Sequence, residues 1–104
     1  MKIISWNCNG AFRKKAHLLS SYNADLYIIQ ECENPDKYPF DAAFLNDYLP
    51  IWTGVSDRKG LAFFVRKIFH ASKIHLDFPP FHDYSLICID RSHFLGVWTH
   101  KPNY

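Results

Sequence analysis

The sequence predicts an α/β domain in which a βαβ unit leads into a mostly antiparallel sheet. Three observations carry that prediction. Two apolar, β-branched runs flank a stretch with helical periodicity. The remainder breaks into short apolar runs separated by turn signals. The chain has 104 residues, of which 48% are apolar and 21% charged, so it holds one small globular domain spanning residues 1–104 and not a disordered tract.

The first run, Lys2-Ile3-Ile4-Ser5-Trp6-Asn7, reads as a strand that Asn9-Gly10 ends. Phe12, Ala16, Leu19 and Tyr22 follow at i, i+4, i+7 and i+10, one face of a helix, with Arg13, Lys14, Lys15 and His17 on the remainder. After the turn Asn23-Ala24-Asp25, Leu26-Tyr27-Ile28-Ile29-Gln30-Glu31 is nearly continuous in hydrophobicity, as a strand buried on both faces requires. The two strands should run parallel. Residues 33–50 read as loop with a short helix near 40–46. Strands are expected at 51–54, 61–66, 71–78, 85–90 and 94–100, all in the same sheet. Asp57-Arg58-Lys59-Gly60, Phe78-Pro79-Pro80-Phe81 and Asp90-Arg91-Ser92-His93 supply the breaks between them.

Composition narrows the function classes. A net charge of +2, with six histidines neutral, is too mild to argue nucleic-acid binding from charge alone. No apolar run approaches the roughly 18 to 20 residues that span a bilayer, so no membrane span is expected. Neither is a secretory signal, because the N-terminus lacks an apolar stretch with a small-residue cleavage site. Three cysteines without a Cys-x-x-Cys pair favour a reducing, cytoplasmic setting over a disulfide framework.

Ligands of open α/β sheets bind beyond the carboxyl ends of parallel strands. Asn7 ends the first strand and Glu31 the second. A carboxylate beside an amide oxygen begins a hard-cation site, and Mg²⁺ needs only one or two carboxylates besides water and substrate phosphates. The bland alternative makes Asn7 a turn cap and Glu31 a solvated strand end. Arg13-Lys14-Lys15 could contact phosphate or simply form a solvated helix face. Cys8 and Cys32 follow the two candidate ligands, yet their spacing with His100 fits no usual zinc pattern, and Cys88 belongs to an apolar strand.

Ser5-Trp6-Asn7-Cys8-Asn9-Gly10, a helix, and then Asp25-Leu26-Tyr27-Ile28-Ile29-Gln30-Glu31 together resemble the opening of the endonuclease/exonuclease/phosphatase (deoxyribonuclease I-like) superfamily. Lys59-Gly60-Leu61-Ala62-Phe63-Phe64 looks like that family's next, glycine-led strand. Gly96-Val97-Trp98-Thr99-His100-Lys101-Pro102-Asn103 is similar to a later strand and loop that contact phosphate, through either His100 or Thr99. The resemblance implies half of a four-layer α/β sandwich and a Mg²⁺-dependent (or Mn²⁺-dependent) phosphoester hydrolase of nuclease or phosphatase type. It implies Glu31 and Asn7 as metal ligands, and Asn7, Glu31 and His100 as catalytic residues. The substrate would be a phosphoester, nucleic acid included.

The match covers about half of a family domain, its N-terminal half. The family's Gly-Asp-x-Asn and Ser-Asp-His segments are not in these 104 residues, so weak or no turnover is expected of them alone. One sheet by itself would expose Trp6, Ile28, Phe63, Phe64, Ile87, Ile89, Val97 and Trp98 as an apolar patch. A second copy, or a C-terminal half, is expected to cover it. The alternative reading is a non-catalytic module derived from this fold that oligomerises or binds a partner.

Overall fold

The computed structural model describes residues 1–75 and 84–98. It is a mixed α/β fold of two sheets with one short helix. Strand β1 (Ile3–Asn7) pairs in parallel with β2 (Leu26–Cys32), Ile3 facing Leu26 and Asn7 facing Gln30. Strand β4 (Lys59–Arg66) lies antiparallel between β2 and β3 (Tyr48–Ser56), giving the order β1-β2-β4-β3. The hairpin turn between β3 and β4 is the expected Asp57-Arg58 tip. Pro50, which has no N–H to give a ladder, sits in β3, an edge strand.

The segment joining β1 to β2 departs from expectation. It contains no α-helix, only two 3₁₀ turns, Phe12–Lys14 and Ala16–Leu19. Lys15 N donates to Phe12 O at 2.8 Å and Leu18 N to Lys15 O at 2.9 Å, the i→i+3 closures of a tighter helix. Lys15, with φ −118°, interrupts the two. The apolar spacing still does its work: Phe12, Ala16 and Leu19 are buried, whereas Tyr22 is 51% exposed. The short helix is α1 (Ala42–Asp47), started by Asp41, whose side chain accepts from Ala43 N at 2.9 Å.

The single sheet is also corrected. Strands β5 (Ala71–Ile74), β6 (Tyr84–Ile89) and β7 (Ser92–Val97) form a separate antiparallel sheet. The reason is topological. Strand β4 has β2 on one side and β3 on the other, so the chain leaving Arg66 has no edge of β4 left to pair with. It turns through Lys67–Phe69, where Phe69 N donates to Arg66 O at 3.0 Å, and begins again.

Strand alternation sorts β2 and β4 into two cores. Tyr27, Ile29, Ala62 and Phe64 join Phe12, Ala16 and Leu19 under the 3₁₀ turns and α1. Leu26, Phe63 and Val65 join Ile87 and Ile89 of the second sheet. A Cβ on Gly96 would lie 2.7 Å from Phe63 Cζ, so glycine there lets β7 press onto the first sheet. The expected bare face is therefore covered in large part from within the chain, although Val97 stays 47% exposed and Trp98 is half-buried. Phe63, Phe64, Ile87 and Ile89 are buried, and Trp6 and Ile28 are packed against the two cores. A covering partner is not required to bury them.

Candidate functional site

Both sequence-selected ligands lie at the carboxyl end of the parallel pair. Asn7 faces Gln30 in register, and Cys8 N continues the ladder by donating to Gln30 O at 3.2 Å. The next residue breaks the pattern. Gln30 faces Leu61 and Cys32 faces Gly60, so Glu31 is an extra residue with φ +60°, a β-bulge. Gln30 points toward the second sheet, its amide donating to Ser5 Oγ at 3.0 Å and to Val97 O at 3.2 Å. Cys32, beyond the bulge, packs into the opposite core. Glu31 is lifted out of the alternation between them, with its side chain 19% exposed. Its Oε1 accepts from Lys59 Nζ at 3.3 Å.

The loop after β1 is strained. Asn9, Gly10 and Ala11 have φ of +59°, +83° and +52°. For a residue with a Cβ such as Ala11 the left-handed region costs roughly 1–2 kcal/mol. The Asn7 side-chain oxygen accepts from Asn9 N at 3.1 Å and fixes the first step of this loop. Ala11 and Glu31 thus both hold left-handed backbone near the carboxyl ends of β1 and β2, as Asn23 and Asp90 do elsewhere in the fold.

Beside the bulge lies a cleft of about 400 Å³. Its floor is an ion pair, Arg13 Nη1 to Glu33 Oε2 at 2.5 Å, with the guanidinium also 5.0 Å from the centre of the Tyr38 ring. Glu33 is 1% exposed. Arg58 and Lys59 stand on the rim, and the Gly10-Ala11 loop closes one wall. A side chain on Gly10 would meet Lys59 Cε at 3.5 Å, so the lysine stem runs across that loop. Of the basic run on the first crossover, Arg13 is thus a structural residue. Lys15 is another, donating to Cys8 O at 2.6 Å.

Glu33, Arg58 and Lys59 were not readable as a group. The Arg58-Lys59 pair reads as a hairpin tip, and the burial of Glu33 depends on a partner 20 residues away. A second cavity, of about 320 Å³, lies at the opposite end of β2 near Asp41, Tyr48 and Arg66. Arg66 there is engaged with Asn23 O, Ala24 O and Asp25 Oδ1. The carboxyl-end rule for parallel strands selects the cleft beside Glu31 instead.

Cys8 and Cys32 are both buried, and desolvation raises the pKa of each thiol, most strongly Cys32. A raised thiol is a poor nucleophile and a poor zinc ligand. Among the described residues no group of three or more His, Cys, Asp or Glu is arranged to hold a metal ion. The oxygens at the two strand ends are one amide oxygen, on Asn7, which accepts from Asn9 N, and one carboxylate, on Glu31, which accepts from Lys59 Nζ. His100 and Thr99, the expected phosphate contacts, lie outside the described residues. Searches of protein-family models, curated proteins and solved structures find no match to this chain.

Proposed function

We propose that the chain forms the N-terminal half of a Mg²⁺-dependent phosphoester hydrolase domain of nuclease or phosphatase type. The observation that carries this reading is the bulge at Glu31. It presents one carboxylate at the carboxyl end of a parallel strand pair, one residue past the register of Asn7 and beside a cationic cleft.

In this reading Glu31 and the Asn7 amide oxygen would hold Mg²⁺, which supplies Lewis-acid polarisation of a phosphoryl oxygen when bound. The Asn7 oxygen also accepts from Asn9 N, which would hold the amide in one rotamer. The cationic rim attracts the phosphoester and fixes its orientation before reaction. His100 or Thr99 supplies a further phosphate contact. The Asp and His that complete such a site in the family it resembles would come from outside these 104 residues. The chain alone is accordingly expected to bind metal while turning over little or nothing. The alternative is a partner-binding module; β6 and β7 bury part of the apolar face it would use, and Val97 and Leu95 of β7 stay exposed.

The test is Mn²⁺ binding followed by electron paramagnetic resonance. The wild-type chain should bind one ion, and Glu31→Gln should weaken binding by about tenfold or more. Equal binding by the two proteins removes Glu31 from the metal site and with it the hydrolase reading.

A further inference from the structure

Lys59 touches both halves of the site. Its ammonium bonds Glu31 at 3.3 Å, and the same side chain rims the cleft floored by Arg13 and Glu33. Lys59 is 50% exposed and its four-carbon stem turns freely, so the ammonium can exchange one position for the other without disturbing the backbone.

The charges in the cleft say what such an exchange would do. Arg13 is neutralised by buried Glu33, and Arg58 has no acidic partner among the ion pairs of the described residues. With Lys59 held on Glu31, the cleft offers one uncompensated cation. Released, it offers two, on neighbouring residues at the rim of one cavity. Two cations lining one cleft suit a phosphate group. A divalent cation on Glu31 would take the place that the ammonium now fills, because both neutralise the same carboxylate.

Resting on the metal role of Glu31 proposed above, we infer that Lys59 couples cation binding to phosphate binding. It neutralises Glu31 when no divalent ion is present. It turns into the Arg58 cleft to hold a phosphate group once the ion has displaced it. By linkage each ligand then tightens the other. The phosphate is that of a substrate or of a released product.

The probes are inorganic phosphate and thymidine 3′,5′-bisphosphate, titrated by calorimetry into the 104-residue chain with and without Mn²⁺. Mn²⁺ should tighten phosphate binding on the order of five- to tenfold. Lys59→Met should abolish that gain while still binding Mn²⁺. Coupling that survives in Lys59→Met comes from direct metal–phosphate contact and overturns the inference.

A second arm needs no metal. Glu31→Gln frees Lys59 permanently and should tighten phosphate binding in metal-free buffer. The gain should vanish in the Glu31→Gln/Lys59→Met double variant. A gain that persists there reflects general removal of negative charge and refutes the role of Lys59. Because residue 31 has a left-handed backbone, Glu31→Asn, which tolerates that conformation, serves as the second variant. Failure of Mn²⁺ to bind would sink the hydrolase reading, while the metal-free arm decides the Lys59 exchange on its own.

Discussion

Replacing Arg13 by Met should destabilise this protein more than its surface position in the first crossover would indicate. The Glu33 side chain is 2% exposed, and its Oε2 accepts from Arg13 Nη1 at 2.5 Å and from Arg13 N at 3.5 Å. The other oxygen has the Cys32 thiol at 3.7 Å. Without the guanidinium, a buried carboxylate is left with one long backbone bond and one thiol. Breaking a buried pair from one side costs about 3–5 kcal/mol, chiefly the uncompensated charge. Loss of the guanidinium over Tyr38 adds about 0.5–1 kcal/mol. Against a total of roughly 5–15 kcal/mol for a domain of this size, the variant would be close to unfolding. With a urea slope of about 1.5 kcal/mol/M, the midpoint should fall by about 2–4 M, read by tryptophan fluorescence. The double variant Arg13→Met/Glu33→Leu removes the orphan charge and should recover most of the loss. An Arg13→Met protein within about 1 kcal/mol of wild type would show that Glu33 is not buried as described, and the cleft floor would have to be redrawn.

Two further outcomes follow from separate parts of the fold. Gly60→Ala places a Cβ 2.5 Å from both Thr53 O and the Trp52 ring, which must then move and strain its bond from Nε1 to Cys32 O. Overpacking plus a weakened buried hydrogen bond should cost roughly 2–4 kcal/mol in urea denaturation, and a change below about 0.5 kcal/mol would contradict the close approach. Asp25 has its pKa held below the usual 3.8, first by the Lys2 backbone N–H at 2.8 Å and then by Arg66. A carboxylate depressed in the folded state contributes stability above its unfolded pKa and loses it as pH falls through the folded one. Asp25→Asn should therefore lower stability at neutral pH and flatten the decline below about pH 4. An acid limb identical to wild type would assign that decline to other groups.

How far the sequence foretold this structure depends on the element. Strands β2 and β4 were legible because burial on both faces leaves an unbroken apolar run, with no other role for so many β-branched and aromatic residues. The end of β1 at Asn7 was legible because a polar residue interrupts the run, whereas β2 continues past the expected end at Glu31 to Cys32, because the bulge lets the ladder resume opposite Gly60. The crossover was not. Phe12, Ala16 and Leu19 carry a helical spacing, but their burial is satisfied equally by two 3₁₀ turns. The left-handed entry through Ala11 leaves no clean N-terminus for an α-helix. The split into two sheets was hidden for another reason: whether β5 can join β4 depends on β3 already occupying that edge, a fact of assembly and not of local pattern. The cleft was hidden because neither Arg13 nor Glu33 announces the other, and Arg58 and Lys59 look like any polar hairpin tip.

The extra residue at position 31 acts as a change of phase in the chain. Before it, even-numbered side chains of β2 face the second sheet; after it, Cys32 faces the other way. Deleting Glu31 would remove the carboxylate and the bulge together. Gln30 would then run straight into the residue that already faces Gly60, so Cys32 and the Arg13 partner Glu33 would keep their sides of the strand, and the deletion would take away the carboxylate without shifting the core.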